Sequence, residues 1–312
     1  MQFYLGVTDN QWFRTLRTQQ ATECNFWMPS GQTFAALQPG QEFVFKLKAP
    51  MSMIGGGGTY VRSQQLPVRM AWEVFGSANG TQTFEGFQQK ILGYRAKTDG
   101  PIDRNPMITC VVLEGTVFFR DADCFAVPTD WSSNIVTGKK HTTDNPIHAA
   151  VWQRYDGLRT MYRQYHPDKA MRQLVDEPAR YGTDYTTAAR LGQAAFRLDV
   201  LNAYNQRCAM TGEHTPLVLH AAHIKPYAAA GTHAVQNALL LRSDFHLLFD
   251  AGYLTVDDSY RIVVSPRIES EYANGVRYRD RAGQGIHLPQ AIAARPDIAA
   301  LRWHQDNVFL AS

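Results

Sequence analysis

The stretch LHAAHIKP, residues 219–226, has the apolar residues of a buried strand, Leu219, Ala221, Ala222 and Ile224, interrupted by His220 and His223. A histidine in such a strand is ordinarily a hydrogen-bonded core residue, so its neighbours decide its role. Asn237 follows His223 by 14 residues, His246 follows Asn237 by nine, and Asp250 lies four beyond His246. RSDFHLLFD, residues 242–250, predicts a short helix with Ser243 as N-cap and Gly252 as its stop. On that helix His246 and Asp250 form an i, i+4 pair on one face. The order is strand, loop, strand, helix.

The rest of the chain sets the frame. Its 312 residues suffice for two ordinary domains, and 45% hydrophobic with 19% charged residues is the composition of a folded, water-soluble protein. No apolar run approaches the roughly 18 residues of a membrane span, and no charged-then-apolar signal follows Met1. A cytoplasmic protein without a membrane partner is expected. The cysteines, Cys24, Cys110, Cys124 and Cys208, form no C-x-x-C pair and read as buried thiols. A net charge of +3 permits a nucleic-acid partner without arguing for one.

Residues 1 to about 145 read as mixed β with short helices. Strands are predicted at Phe43–Leu47, Ile108–Leu113 and Val117–Phe119. The four glycines 55–58 lack the G-K-[ST] of a phosphate loop, so a close backbone approach to a neighbouring strand or a ligand is expected. Asn145-Pro146 marks a boundary, a helix is predicted from about 148 to 175, and a second amphipathic helix spans 188–205. The aromatic stripe from Trp152 to Tyr165 is expected to face a core or an interface. Tyr165-His166-Pro167-Asp168-Lys169 contains the loop signature of J-domain co-chaperones, but that family's flanking helices are only loosely echoed and the segment sits mid-chain before a different module, so it reads as coincidence.

The spacing of His223, Asn237 and His246 resembles the HNH endonucleases, with their ββα-metal fold, in the restriction-enzyme branch that carries A-A-H-I. The resemblance extends to Arg190-Leu191-Gly192-Gln193, Phe196-Arg197, the turn Arg207–Gly212, Leu288-Pro289 and Trp303-His304. It implies that His223 is the general base, that Asn237 braces the loop between the strands, and that His246, with Asp250, holds one divalent metal ion, Mg²⁺ or Mn²⁺. Imidazole is the natural base at neutral pH, and a cation can relieve charge on a phosphodiester. Many relatives place a metal-ligating Asp or His just before the base, whereas here Ala222 can bind nothing. His220 is therefore a candidate substitute ligand, phosphate contact or bystander. Arg190, Arg197, Lys225 and Arg242 are candidate DNA contacts, or ordinary solvated charges.

The first 145 residues resemble the EVE domain, a PUA-like β-barrel. The resemblance rests on N-F-W-x-P-S at 25–30, Pro39–Leu47, Ile54–Gly57, Ala71–Gly76 and W-S-x-N-I-V-x-G-K at 131–139. It implies base flipping of a modified cytosine into an aromatic cage. Trp27 and Trp131 are the cage candidates, Asn25, Ser30 and Asn134 the candidate readers, and Tyr60 a further candidate. A Trp beside small hydrogen-bonding residues suits a flat ring, though most tryptophans fill cores.

An α+β protein is thus expected: an EVE barrel at 1–145, a helical linker at 146–187 and an HNH nuclease at 188–312. Its implied partner is double-stranded DNA carrying 5-methylcytosine or 5-hydroxymethylcytosine. Because one HNH site cuts one strand, a homodimer is expected, with the linker helix as a candidate interface. The alternatives are a nuclease for unmodified DNA or RNA, and a modified-DNA binder whose nuclease has decayed.

Overall fold

The computed structural model describes residues 1–95, 103–164, 193–226, 229, 231–272 and 275–311. They form two compact units, residues 1–164 with 193–194 and residues 195–311. The protein is α+β. Among the described residues no helix is long and apolar enough to cross a membrane.

The first unit is built on seven strands: β1 (Gln2–Thr8), β2 (Glu23–Met28), β3 (Glu42–Leu47), β4 (Met53–Pro67), β5 (Met107–Phe118), β6 (Phe125–Ala126) and β7 (Gly138–Thr142). They pair in the order β2-β5-β4-β3-β1-β7, with β6 beside β4; only β1 and β3 run parallel. Helix α1 (Asn10–Gln19) starts where the Asp9 carboxylate accepts the Trp12 N–H, and it buries Trp12, Phe13 and Leu16. Helices α2 (Val68–Phe75) and α3 (Phe84–Arg95) follow β4.

The glycine run lies inside β4 and serves close packing. A Cβ on Gly56, where φ is +147°, would stand 2.1 Å from the Val117 carbonyl oxygen; one on Gly57 would stand 2.4 Å from the Tyr155 hydroxyl. Tyr155 belongs to α4 (Pro146–Gln164), which begins where Asn145 Oδ1 accepts the Ile147 N–H. Its hydroxyl, wholly buried, donates to Glu42 Oε2 at 2.7 Å. Over its described length the helix expected to link the domains thus packs on the sheet of the first unit. Trp152, in the stripe expected to face a core or an interface, meets Phe3 and Tyr155. The remainder of the expected linker and the J-domain-like pentapeptide lie outside the described residues.

Helix α5 (Gln193–Ala203) leads into the second unit, which holds it from Ala195 on. Strands β8 (Leu219–His223) and β9 (Ala238–Arg242) pair antiparallel, and α6 (Ser243–Asp250) follows at once. A second hairpin, β10 (Leu254–Val256) and β11 (Ile262–Val264), precedes α7 (Arg267–Tyr272), α8 (Val276–Arg279) and α9 (Ile298–Asn307). Strand, loop, strand, helix is the order expected from spacing. The cap differs: Arg242 occupies the N-cap position, and the Ser243 hydroxyl donates to the Val218 carbonyl instead. All four cysteines are buried thiols.

Candidate functional site

Strand alternation sorts the histidines of β8. Positions 220 and 223 differ by three, so their side chains leave opposite faces of the strand. His220 meets α6: its Nδ1 lies 3.3 Å from His246 Nδ1 and its Nε2 3.4 Å from Ser243 Oγ. His246 uses its other nitrogen, Nε2, 3.2 Å from Asp250 Oδ2, the i, i+4 neighbour one turn on. His223 instead stacks on Phe196 of α5, with centroids 4.3 Å apart and planes 11° apart, and its Nε2 lies 3.2 Å from His233 Nδ1. These contacts form two histidine pairs, 220–246 beside Asp250 on α6 and 223–233 beside Phe196 on α5.

Burial holds both members of the first pair neutral near pH 7. It pushes His246 down to about 4. It does the same to His220, helped by His246 and by the Arg197 guanidinium. A neutral imidazole is the form that binds a metal. Among the described residues no group of three or more His, Cys, Asp or Glu side chains is arranged to hold a metal ion. His246 and Asp250 nonetheless fit a sparsely liganded hard cation. Their donor atoms, 3.2 Å apart, match the spacing of about 3 Å between adjacent ligands at 2.0–2.1 Å from an octahedral ion, which commonly keeps several waters.

Asn237 braces the loop between the strands. Its Oδ1 accepts the Lys225 N–H at 2.9 Å, and its Nδ2 donates to the carbonyls of Lys225 at 2.8 Å and Thr232 at 3.0 Å. The cations fare differently. Arg242 makes a two-pronged pair with Asp244 at 2.7 and 2.8 Å, so its charge is already met. Arg197 donates to the Leu219 carbonyl. Lys225 Nζ sits 5.6 Å over the Trp303 ring. Arg190 lies outside the described residues. His233 and Phe196, which flank His223, were not expected there; the signal for His233 is only its place in the loop that Asn237 ties down.

The first unit holds a cavity of about 1040 Å³. Trp27, Ser30 and Trp131 line it, together with Trp12, Tyr94, Lys46, Lys48 and Arg95, which sequence reading did not single out. Trp27 stands fixed: its Nε1 donates to the Asn79 carbonyl at 3.0 Å, and Phe87 and Tyr94 meet its ring edge-on. Trp131 stacks against His141, and Lys46 Nζ lies 5.9 Å from its ring centroid. Three expected pocket residues are placed elsewhere. Asn25 is fully buried and spends its amide on Asn79 Oδ1 at 2.8 Å, so it supports the wall rather than faces a ligand. Tyr60 is buried against Phe34 with its hydroxyl on Ser63, away from the lining. Asn134, exposed on the Trp131 loop, takes the Ser132 hydroxyl on its Oδ1 and is not among the lining residues. Asn79 is the missed hub: its Nδ2 also holds the carbonyls of Ala71 and Gly76. In sequence, Asn79-Gly80 signals only a turn.

Residues 208–257 match the family model of HNH endonucleases. That segment, which includes β8, the braced loop, β9 and α6, is an HNH endonuclease domain, and such domains hydrolyse nucleic-acid phosphodiesters. Among solved structures the chain is similar to an ASCH protein from Zymomonas mobilis, with 9% identity over 48% of this chain and 94% of that chain and a TM-score of 0.34. A point mutant of that protein gives 8%, 48%, 96% and 0.35. The chain is also similar to the modification-dependent TagI restriction endonuclease, with 14% identity over 88% of this chain and 64% of that chain and a TM-score of 0.28. No curated protein matches the chain.

Proposed function

We propose that the protein is a DNA endonuclease directed by a modified base: the first unit receives a flipped 5-methylcytosine or 5-hydroxymethylcytosine, and the HNH domain cuts the backbone nearby. The observation that carries the reading is a cavity of about 1040 Å³, walled by tryptophans and edged by lysines, on a chain whose residues 208–257 are an HNH endonuclease domain. A flat aromatic ligand gains from stacking between such walls, and lysines at the edge favour a polyanion.

In the nuclease, His223 is assigned the proton of the attacking water. Phe196 fixes the plane of its ring and His233 the direction of its Nε2. Asn237 keeps the loop that carries His233 closed onto the end of β8. His246 and Asp250 would hold one divalent cation, Mg²⁺ or Mn²⁺, with His220 supporting the His246 ring from behind. When bound, that ion supplies charge relief to the phosphate and to the departing 3′ oxygen. One such site cuts one strand, so scission of a duplex calls for two copies of the chain on the DNA.

A second reading, a binder of modified DNA that does not hydrolyse it, is favoured by Ala222, which offers no ligand, and by the departure of His223 and His220 from opposite faces of β8. A cleavage panel separates the readings: identical duplexes with cytosine, 5-methylcytosine or 5-hydroxymethylcytosine, each with Mg²⁺ or Mn²⁺. Cutting confined to modified duplexes is the expected result. Equal cutting of all duplexes would remove the modified base from the proposal. Binding of modified duplexes without cutting under either metal would establish the second reading.

A further inference from the structure

Val136 has the most exposed large hydrophobic side chain among the described residues, at 79%. It also lines the cavity of the first unit. A side chain that does both stands at the cavity mouth. We propose that Val136 is an apolar wedge that enters the DNA stack and occupies the gap left when a base moves into the cavity, an inference that rests on the base-flipping reading above.

The loop that presents Val136 is held at both ends. On the near side Asp130 Oδ2 pairs with His148 Nε2 on α4 at 2.9 Å. On the far side the Thr137 carbonyl accepts the Val7 N–H at 2.9 Å, and β7 begins at Gly138. Between them the Ile135 N–H closes onto the Ser132 carbonyl at 3.2 Å. A tip anchored in this way can press on a partner without folding back. Ile135, half-buried beside Val136, also lines the cavity, so the apolar surface runs from the tip inward.

Charge identifies the partner. Lys139 and Lys140, the first lysines after the tip, are exposed, and Lys46 and Lys48 line the same cavity. An apolar point flanked by cations suits a nucleic-acid duplex, whose phosphates take the lysines while the separated base step takes the apolar side chain. A protein partner would require a broader apolar surface, whereas Asn134, Thr137 and the lysines around this tip are exposed and polar.

The wedge makes a test specific to the gap. Binding by full-length wild type, Val136→Ser and Val136→Leu is measured by fluorescence anisotropy on three duplexes. One carries the modified cytosine that wild type prefers opposite guanine, one carries the same base opposite an abasic site, and one is unmodified. Val136→Ser should bind the paired modified duplex about tenfold more weakly than wild type, because unstacking and unpairing are then less well repaid. On the abasic-opposed duplex, where pairing is already lost, it should bind within about twofold of wild type. Val136→Leu should restore tight binding to the paired duplex. If Val136→Ser binds the paired duplex as wild type does, or loses the same factor on both modified duplexes, the wedge is overturned while base reading stands. A wild type that binds modified and unmodified duplexes equally overturns the base reading and the wedge with it.

Discussion

His223 and His220, three positions apart on one strand, meet opposite faces and have different partners. Only the first has the company of a fixed base, a ring stacked on Phe196 and a nitrogen directed at His233. Replacing His223 by Ala should lower cleavage of modified duplex by about 10²–10⁴-fold, the range of general-base catalysis, and leave modified-DNA affinity at the wild-type value. Single-turnover cleavage beside an anisotropy titration reads both quantities. Cleavage within threefold of wild type would move the base to another residue, with His220 next in line. The spacing of His223, Asn237, His246 and Asp250 is legible in sequence because strand, turn and helix periodicities fix which residues share an element. The pairing of 223 with 233 was not, because a loop residue's direction is set by the hydrogen bonds of Asn237.

Helix α6 carries His246 and Asp250 on eight residues, too few to be stable without support. Its support at the carboxyl end is His304 of α9. That ring stacks on Phe249 with centroids 3.7 Å apart, its Nε2 donates to the Phe249 carbonyl at 3.1 Å, and its Nδ1 accepts the Thr255 hydroxyl at 2.9 Å. Changing His304 to Ala leaves a cavity and two buried polar groups without a partner, and should cost about 2–4 kcal/mol of stability. Changing it to Phe keeps the stack and should recover part of that loss. Urea unfolding of the three proteins measures the order, and equal midpoints would show that α6 does not depend on this brace. The pair Trp303-His304 was legible as part of a motif; its service to a helix some 50 residues earlier was not.

At the scale of the molecule, both units contain histidines that burial keeps neutral, among them His141 at 3% and His304 at 2% exposure. Burial pulls both down to about 4, and His148 and Lys139 add to the effect at His141. The unfolded chain takes up these protons near pH 6.5 and the folded chain only near 4. The stability held by each neutral ring is therefore complete above about 6.5 and is lost as pH falls toward 4, by up to about 3 kcal/mol per ring. Urea midpoints should fall over that interval. The fall should be shallower in a His141→Phe variant, whose ring can keep its place between Phe3 and Trp131 without titrating. Midpoints constant from pH 7 to 4 would refute this. Sequence by itself determined the strand-loop-strand-helix order, which follows from periodicity and spacing along the chain, and its motifs carried the resemblance that implied the α+β class and the nuclease residues. Only the tertiary structure decided that Asn25 supports a wall, that Tyr60 lies away from the cavity, that α4 packs on the first sheet, and that Val136 stands at the cavity mouth. The direction of a side chain and its exposure depend on neighbours distant in sequence, and no local pattern records them.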